Sequence, residues 1–331
     1  MKANILNDFD DNTLITKTEE KPKNSEIKSY VLVALSCISF GLVSFHCKLT
    51  KHYFPKEFDP ICFMIFRSMF IGLIGYFLCN KYNLEIVKYE NIQNKFWFIM
   101  RTVGNYFSFL TLIMTMMYFR VSTASCINSM FPAVTIIFSI FILGDKFYIR
   151  YVYGLVICFV GTCFILLNER TDHVADLKVK SDSENFLRIL YGSFYGLANI
   201  IVVGMLSISM KIVMSEKINV HVQSYWVGLT NTICGCIHLI FMGSFKVSFW
   251  YFWFAFSNGG VYYLANAILT EGYKNIEITK TLPLVYLSTL TIFIMGVIFL
   301  GEPVFLTDFL GSMLILSYNV YNAFNPPDKK E

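Results

Sequence analysis

The chain is poor in charge: only 15% of its 331 residues are Asp, Glu, Lys or Arg, where water-soluble domains carry roughly 25%. It also has no long polar run outside its first 28 residues and two loops near 80–95 and 168–185. A soluble fold would have to bury most of a chain that is 55% hydrophobic, and 331 residues do not enclose that much interior. No basic stripe suggests nucleic acid as a partner, the net charge being +4. None of the nine cysteines forms a CxxC pair, so neither a zinc site nor a disulfide framework is expected. GxSG, HExxH and paired membrane aspartates are all missing, which leaves acid–base or nucleophilic catalysis few agents. No enzyme activity, cofactor or metal is therefore expected.

What is present is apolar and aromatic, with 33 Phe and 20 Tyr. Stretches of about 20 apolar residues are long enough to cross a bilayer as helices. Ten occur: Ser29–Cys47, Pro60–Cys79, Phe96–Tyr118, Val121–Leu143, Tyr151–Leu167, Phe186–Met210, Val222–Met242, Val247–Thr270, Thr279–Leu300 and Phe305–Tyr321. The pattern predicts an all-α integral membrane protein of ten transmembrane helices. Its polar tails at 1–28 and 323–331 fall on one face. The first tail has six acidic residues and no apolar core, unlike a cleavable signal or a mitochondrial presequence. With both termini cytosolic, sixteen Lys or Arg fall on the cytosolic side and nine on the other, the bias that sets orientation. Asp10 followed by Leu14-Ile15 has the form of an acidic dileucine sorting signal.

The sequence repeats itself. Phe96–Phe107 (FWFIMRTVGNYF) aligns with Phe252–Tyr263 (FWFAFSNGGVYY) at an offset of 156 residues. Phe141–Gly154 aligns with Ile298–Gly311 at an offset of 157, matching Leu143-Gly144-Asp145 to Leu300-Gly301-Glu302 and Gly154 to Gly311. The expected units are 29–167 and 186–322, five helices each, joined by the polar loop 168–185. Five is odd, so the second unit enters the membrane inverted, an arrangement that places a transporter's substrate between the halves.

Several of these residues also carry a family resemblance. Lys48, Asp59-Pro60 and Arg67 are followed by Ser122–Ala124, Phe131-Pro132, Leu143-Gly144-Asp145, Gly154 and Gly161. In this order they resemble the drug/metabolite transporter superfamily, EamA-type, over residues 30–322, and within it the EamA branch of solute carrier family 35, group G. The second half departs from the pattern, with Thr289 at the position of Pro132 and Pro283 six residues before it. The resemblance implies two inverted five-helix repeats and a small-molecule substrate, without naming it.

Charges and amides within the apolar runs are the candidate substrate ligands, because each is costly in lipid. They are Arg67, Arg101 and Lys280, with Asn105 and Asn266 on the repeat-related third and eighth helices, and Tyr262 beside Gly260. Gly104, Gly260, Pro132 and Pro283 are candidate packing or gating positions, the prolines because each removes a backbone donor and can bend a helix. Asn128, Asn199, Asn231, Asn258 and Asn319 form a wider set of amides suited to interhelical hydrogen bonds. All 23 carboxylates fall in tails, loops or helix ends, so no membrane acid is available to take up a coupling ion, and exchange or facilitated diffusion is expected. The reading is a carrier of a small polar or anionic metabolite. The alternative is a non-transporting structural or receptor-like subunit with a transporter-derived fold. Gly192 and Gly196 form a GxxxG pair suited to close packing within the chain or across a homodimer.

Overall fold

The computed structural model describes residues 23–55, 58–86, 92–118, 127–128, 130–144, 149–166, 182–216, 218–242, 248–273, 276, 281–301 and 306–324. The longer helices among them are α1 (Lys23–Tyr53), α2 (Pro60–Lys81), α3 (Lys95–Tyr118), α4 (Phe131–Phe138) and α5 (Ile149–Leu166). They continue with α6 (Asp182–Ser215), α7 (Val220–Met242), α8 (Phe249–Tyr273), α9 (Tyr286–Leu300) and α10 (Leu306–Phe324). A π-helical turn at Ser139–Leu143 extends α4, and a 3-10 turn at Leu282–Val285 leads into α9. Among the described residues, four spans are long and apolar enough, by length and composition, to cross a membrane: Ile27–Tyr53, Pro60–Lys81, Leu190–Met214 and Leu282–Leu300. Helices α3, α7 and α8, at 24, 23 and 25 residues, also have the length to cross.

Local chemistry sets several boundaries. The Asp59 side chain accepts hydrogen bonds from the backbone N–H of Ile61 (2.7 Å) and Cys62 (3.1 Å), while Pro60 fills the first turn of α2, where its missing donor costs nothing. Tyr251 in the first turn of α8 donates its hydroxyl to the Asp59 carbonyl at 2.7 Å, which ties the start of α8 to the start of α2. Lys51 lies in the last turn of α1, where a positive charge interacts favourably with the helix dipole. α4 with its π turn ends at Gly144 (φ 66°) and α9 at Gly301 (φ 64°). Each glycine donates its N–H to the carbonyl five residues earlier, Ser139 and Gly296. Both adopt the left-handed conformation that glycine enters without the Cβ penalty.

Polarity is inverted relative to a soluble protein. Phe141, Ile240, Phe241 and Leu306 stand 74–83% exposed, while Arg67, Arg101, Asn105, Asn199, Asn231, Asn258 and Asn266 are each at most 7% exposed. An apolar exterior around a polar interior suits lipid as solvent.

The packing is two-fold symmetric in its pairings. α3 packs on α6 as α8 packs on α1, and α4 packs on α6 as α9 packs on α1. α2 pairs with α7 and α5 with α10. In the α2–α7 crossing Gly72 meets Gly228, 156 positions later, so closely that a methyl group on Gly228 would overlap the Gly72 backbone. In the α5–α10 crossing Gly154 faces Tyr318 and Gly161 faces Gly311, and these two contacts exchange under an offset of 157. Gly196 of the GxxxG pair faces Ile127 within the chain.

Candidate functional site

A cavity of about 230 Å³ lies between α1, α3, α6 and α8, lined also by Arg67 of α2 and by residues around the starts of α4 and α9. Its walls hold Arg67, Arg101, Asn105, Tyr262 and Asn266, so five of the six sequence-predicted ligands come together here. Lys280 lies outside the described residues. The apolar surface comes from Phe40, Val43, Phe109, Leu112, Leu206 and Leu269.

The polar groups form a ladder between α3 and α8. Arg101 donates from Nη2 to Asn266 Oδ1 at 2.6 Å. One turn further along α3, Asn105 donates from Nδ2 to the Tyr262 hydroxyl at 2.6 Å. Position i on α3 thus meets j+4 on α8 while i+4 meets j, which requires the two helices to run antiparallel. Asn231 of α7 braces this ladder by donating from Nδ2 to Asn105 Oδ1 at 2.8 Å.

Arg67 is held differently. Its guanidinium carbon lies 3.7 Å from the centroid of the Phe109 ring and 4.1 Å from that of Tyr262. Two rings therefore attract the cation through their faces and leave its N–H edge available. Arg67 is 4% exposed and Arg101 5%, and neither Nε has a hydrogen-bond partner. No carboxylate among the described residues pairs with either guanidinium, and neither Asp nor Glu is among the lining residues. Two buried cations in one cavity make it electropositive, and a buried charge without a partner is costly until an anion arrives.

Some lining groups were not singled out as ligands in the sequence. Asn199 donates to Asn128 Oδ1 at 2.7 Å and accepts from the Thr111 hydroxyl at 3.2 Å, and both amides face the cavity. Phe109 is one of many phenylalanines, and its spacing of eight from Arg101, two helical turns, is the sole sequence signal that it shares a face with it. Asn258 instead donates to the Val43 carbonyl at 2.9 Å and locks α8 to α1. The Asn319 side chain lies outside the described set.

The candidate gating positions stand elsewhere. Gly104 packs on Leu206, and Gly260 packs on Phe70, where an added methyl would come within 2.8 Å of the ring. Pro132 stands in the first turn of α4 and Pro283 in the 3-10 turn that leads into α9. Ile127, Asn128 and Thr281, just before them, are helical too, so each proline lies near an interruption between helical segments.

No curated protein matches the chain. A solved structure titled only as the crystal structure of a protein aligns with 88% of this chain and 97% of its own at a TM-score of 0.70, with 12% identity. That likeness concerns the fold alone. Residues 27–167, most of the first half, match the EamA-like transporter family, which implies a multi-pass membrane protein that transports small molecules.

Proposed function

We propose that this protein is a secondary transporter of a small anionic metabolite and works by alternating access as an exchanger or facilitator. The observation that carries the reading is the pair of buried arginines, Arg67 and Arg101, facing one central cavity with no Asp or Glu among its described lining residues. A cavity at the contact of two related halves is where inverted-repeat carriers bind their substrates. Ten crossings in two inverted five-helix units are supported by the two-fold pairing of helices, by the Gly72–Gly228 approach and by the antiparallel ladder of α3 and α8. With that topology both termini face the cytosol, in keeping with the Lys and Arg bias.

The ladder supports substrate roles for Arg101, Asn105, Tyr262 and Asn266. Arg101 and Asn266 form its charged rung, and Asn105 with Tyr262 forms the neutral rung one turn along. The test is uptake into proteoliposomes preloaded with organic anions, amino acids, sugar nucleotides or nucleobases. Uptake of an anion that depends on an internal anion supports exchange, and equal uptake without one supports facilitated diffusion. Folded, inserted protein that takes up no anion removes the reading and favours a non-transporting subunit.

A further inference from the structure

Building on the anion-carrier reading, we propose that the cavity selects ligands with two anionic ends on a short apolar spacer, one end for each arginine. The two guanidiniums contact different turns of the α3–α8 ladder. Arg101 is level with Asn266, the rung formed by Asn105 and Tyr262 is one turn further along, and Arg67 stacks between Tyr262 and Phe109, which is two turns from Arg101. At 1.5 Å per residue, one to two turns separate the cations by roughly 6–12 Å along α3.

A single-centred anion cannot meet both cations across the upper part of that range. A guanidinium carbon lies about 4 Å from the carbon of a carboxylate it holds in a bidentate pair, given N–O distances of roughly 2.8 Å. Two such pairs take up about 8 Å and leave up to about 4 Å between the two anionic carbons. That is the span of a two- to four-carbon chain. The wall between the arginines suits such a spacer, because the apolar lining residues Leu206 and Val43 pack by Gly104 and Tyr262, and the Asn105–Tyr262 rung is already hydrogen-bonded. Each arginine is equipped to take one end. The faces of Arg67 are covered by rings, so its edge is the part that can reach a ligand, and Arg101 donates from Nη2 to Asn266 while its Nε is unpartnered.

The experiment is thermal stabilisation of the purified full-length protein by succinate, adipate, butyrate and sulfate. Sulfate matches the charge of succinate on one centre, butyrate matches its chain with one charge, and adipate overruns the gap. Succinate is expected to half-saturate at a concentration at least tenfold below the other three. Arg67→Gln and Arg101→Gln are each expected to raise the succinate value to that of butyrate, with Arg67→Lys and Arg101→Lys partly restoring it. Ligand-free melting temperatures show whether each variant is folded. Succinate no better than sulfate or butyrate, or a preference that survives loss of either arginine in folded protein, overturns the two-ended site. If single-centred anions stabilise and are taken up, the carrier reading stands and the two-ended site alone falls. If no anion stabilises or is taken up, both fall.

Discussion

Replacing Arg67 by Gln is expected to weaken anion transport strongly while leaving the fold nearly intact. The side chain is buried, its guanidinium stacks on Phe109 and Tyr262, and its Nε has no protein partner. A hydrogen bond to a charged group contributes about 1.5–3 kcal/mol, so losing the contact to an anionic substrate should raise its half-saturating concentration roughly 10- to 150-fold. The fold responds differently. Two cation–π contacts of about 0.5–2 kcal/mol each are lost, but the cost of burying an unpaired cation is removed as well. These oppose each other, so the variant should reach the membrane at normal levels. Arg67→Lys retains the charge but loses the planar stack, and should fall between the two. Uptake kinetics alongside quantified membrane protein separate binding from folding. Unchanged uptake in Arg67→Gln, or a loss fully explained by missing protein, would refute the reasoning.

Tyr262→Phe removes the hydroxyl that accepts from Asn105 but keeps the ring under Arg67, so transport should fall only about 3- to 10-fold, whereas Tyr262→Leu should approach the effect of losing Arg67. The same uptake assay reads both. Gly228→Ala should lower thermal stability by about 1–3 kcal/mol or more, because the methyl overlaps the Gly72 backbone, while Gly72→Ala meets its nearest atom at 3.4 Å and should be mild. Melting of the two detergent-solubilised variants gives the comparison. Gly144→Ala and Gly301→Ala should each destabilise by about 1 kcal/mol and to similar extents, since both glycines cap a helix in the left-handed conformation and have no neighbour within 4 Å of an added methyl.

Much of the site was legible in the sequence because lipid raises the cost of polarity. Arg67 and Arg101 were conspicuous as cations inside apolar runs, and Asn105 and Asn266 as amides on repeat-related helices. All four line the cavity. The offsets of 156 and 157 also relate the glycine contacts of the α2–α7 and α5–α10 crossings, which the sequence did not pair beforehand. Other features were not legible. Phe109 and Tyr262 embrace Arg67, but in a chain with 33 Phe and 20 Tyr no local pattern distinguishes a ring that holds a cation from one that packs in a core. Tyr106 shows the difficulty. It occupies the position 156 residues before Tyr262, yet its hydroxyl hydrogen-bonds His238 at 2.7 Å and the cavity is lined by Tyr262 instead. Repeat symmetry fixes where a side chain starts, while its partner depends on which residues the other half supplies. The prolines are legible as helix interruptions, but whether each bends a helix or begins one depends on where the preceding turn ends.

The most direct test of the account is uptake of labelled organic anions by proteoliposomes containing wild-type protein or the Arg67→Gln/Arg101→Gln double variant, at matched amounts of folded, inserted protein. The account predicts saturable uptake of at least one anion by the wild type and background uptake by the double variant. Equal uptake by the two proteins, or none by the wild type, would contradict it.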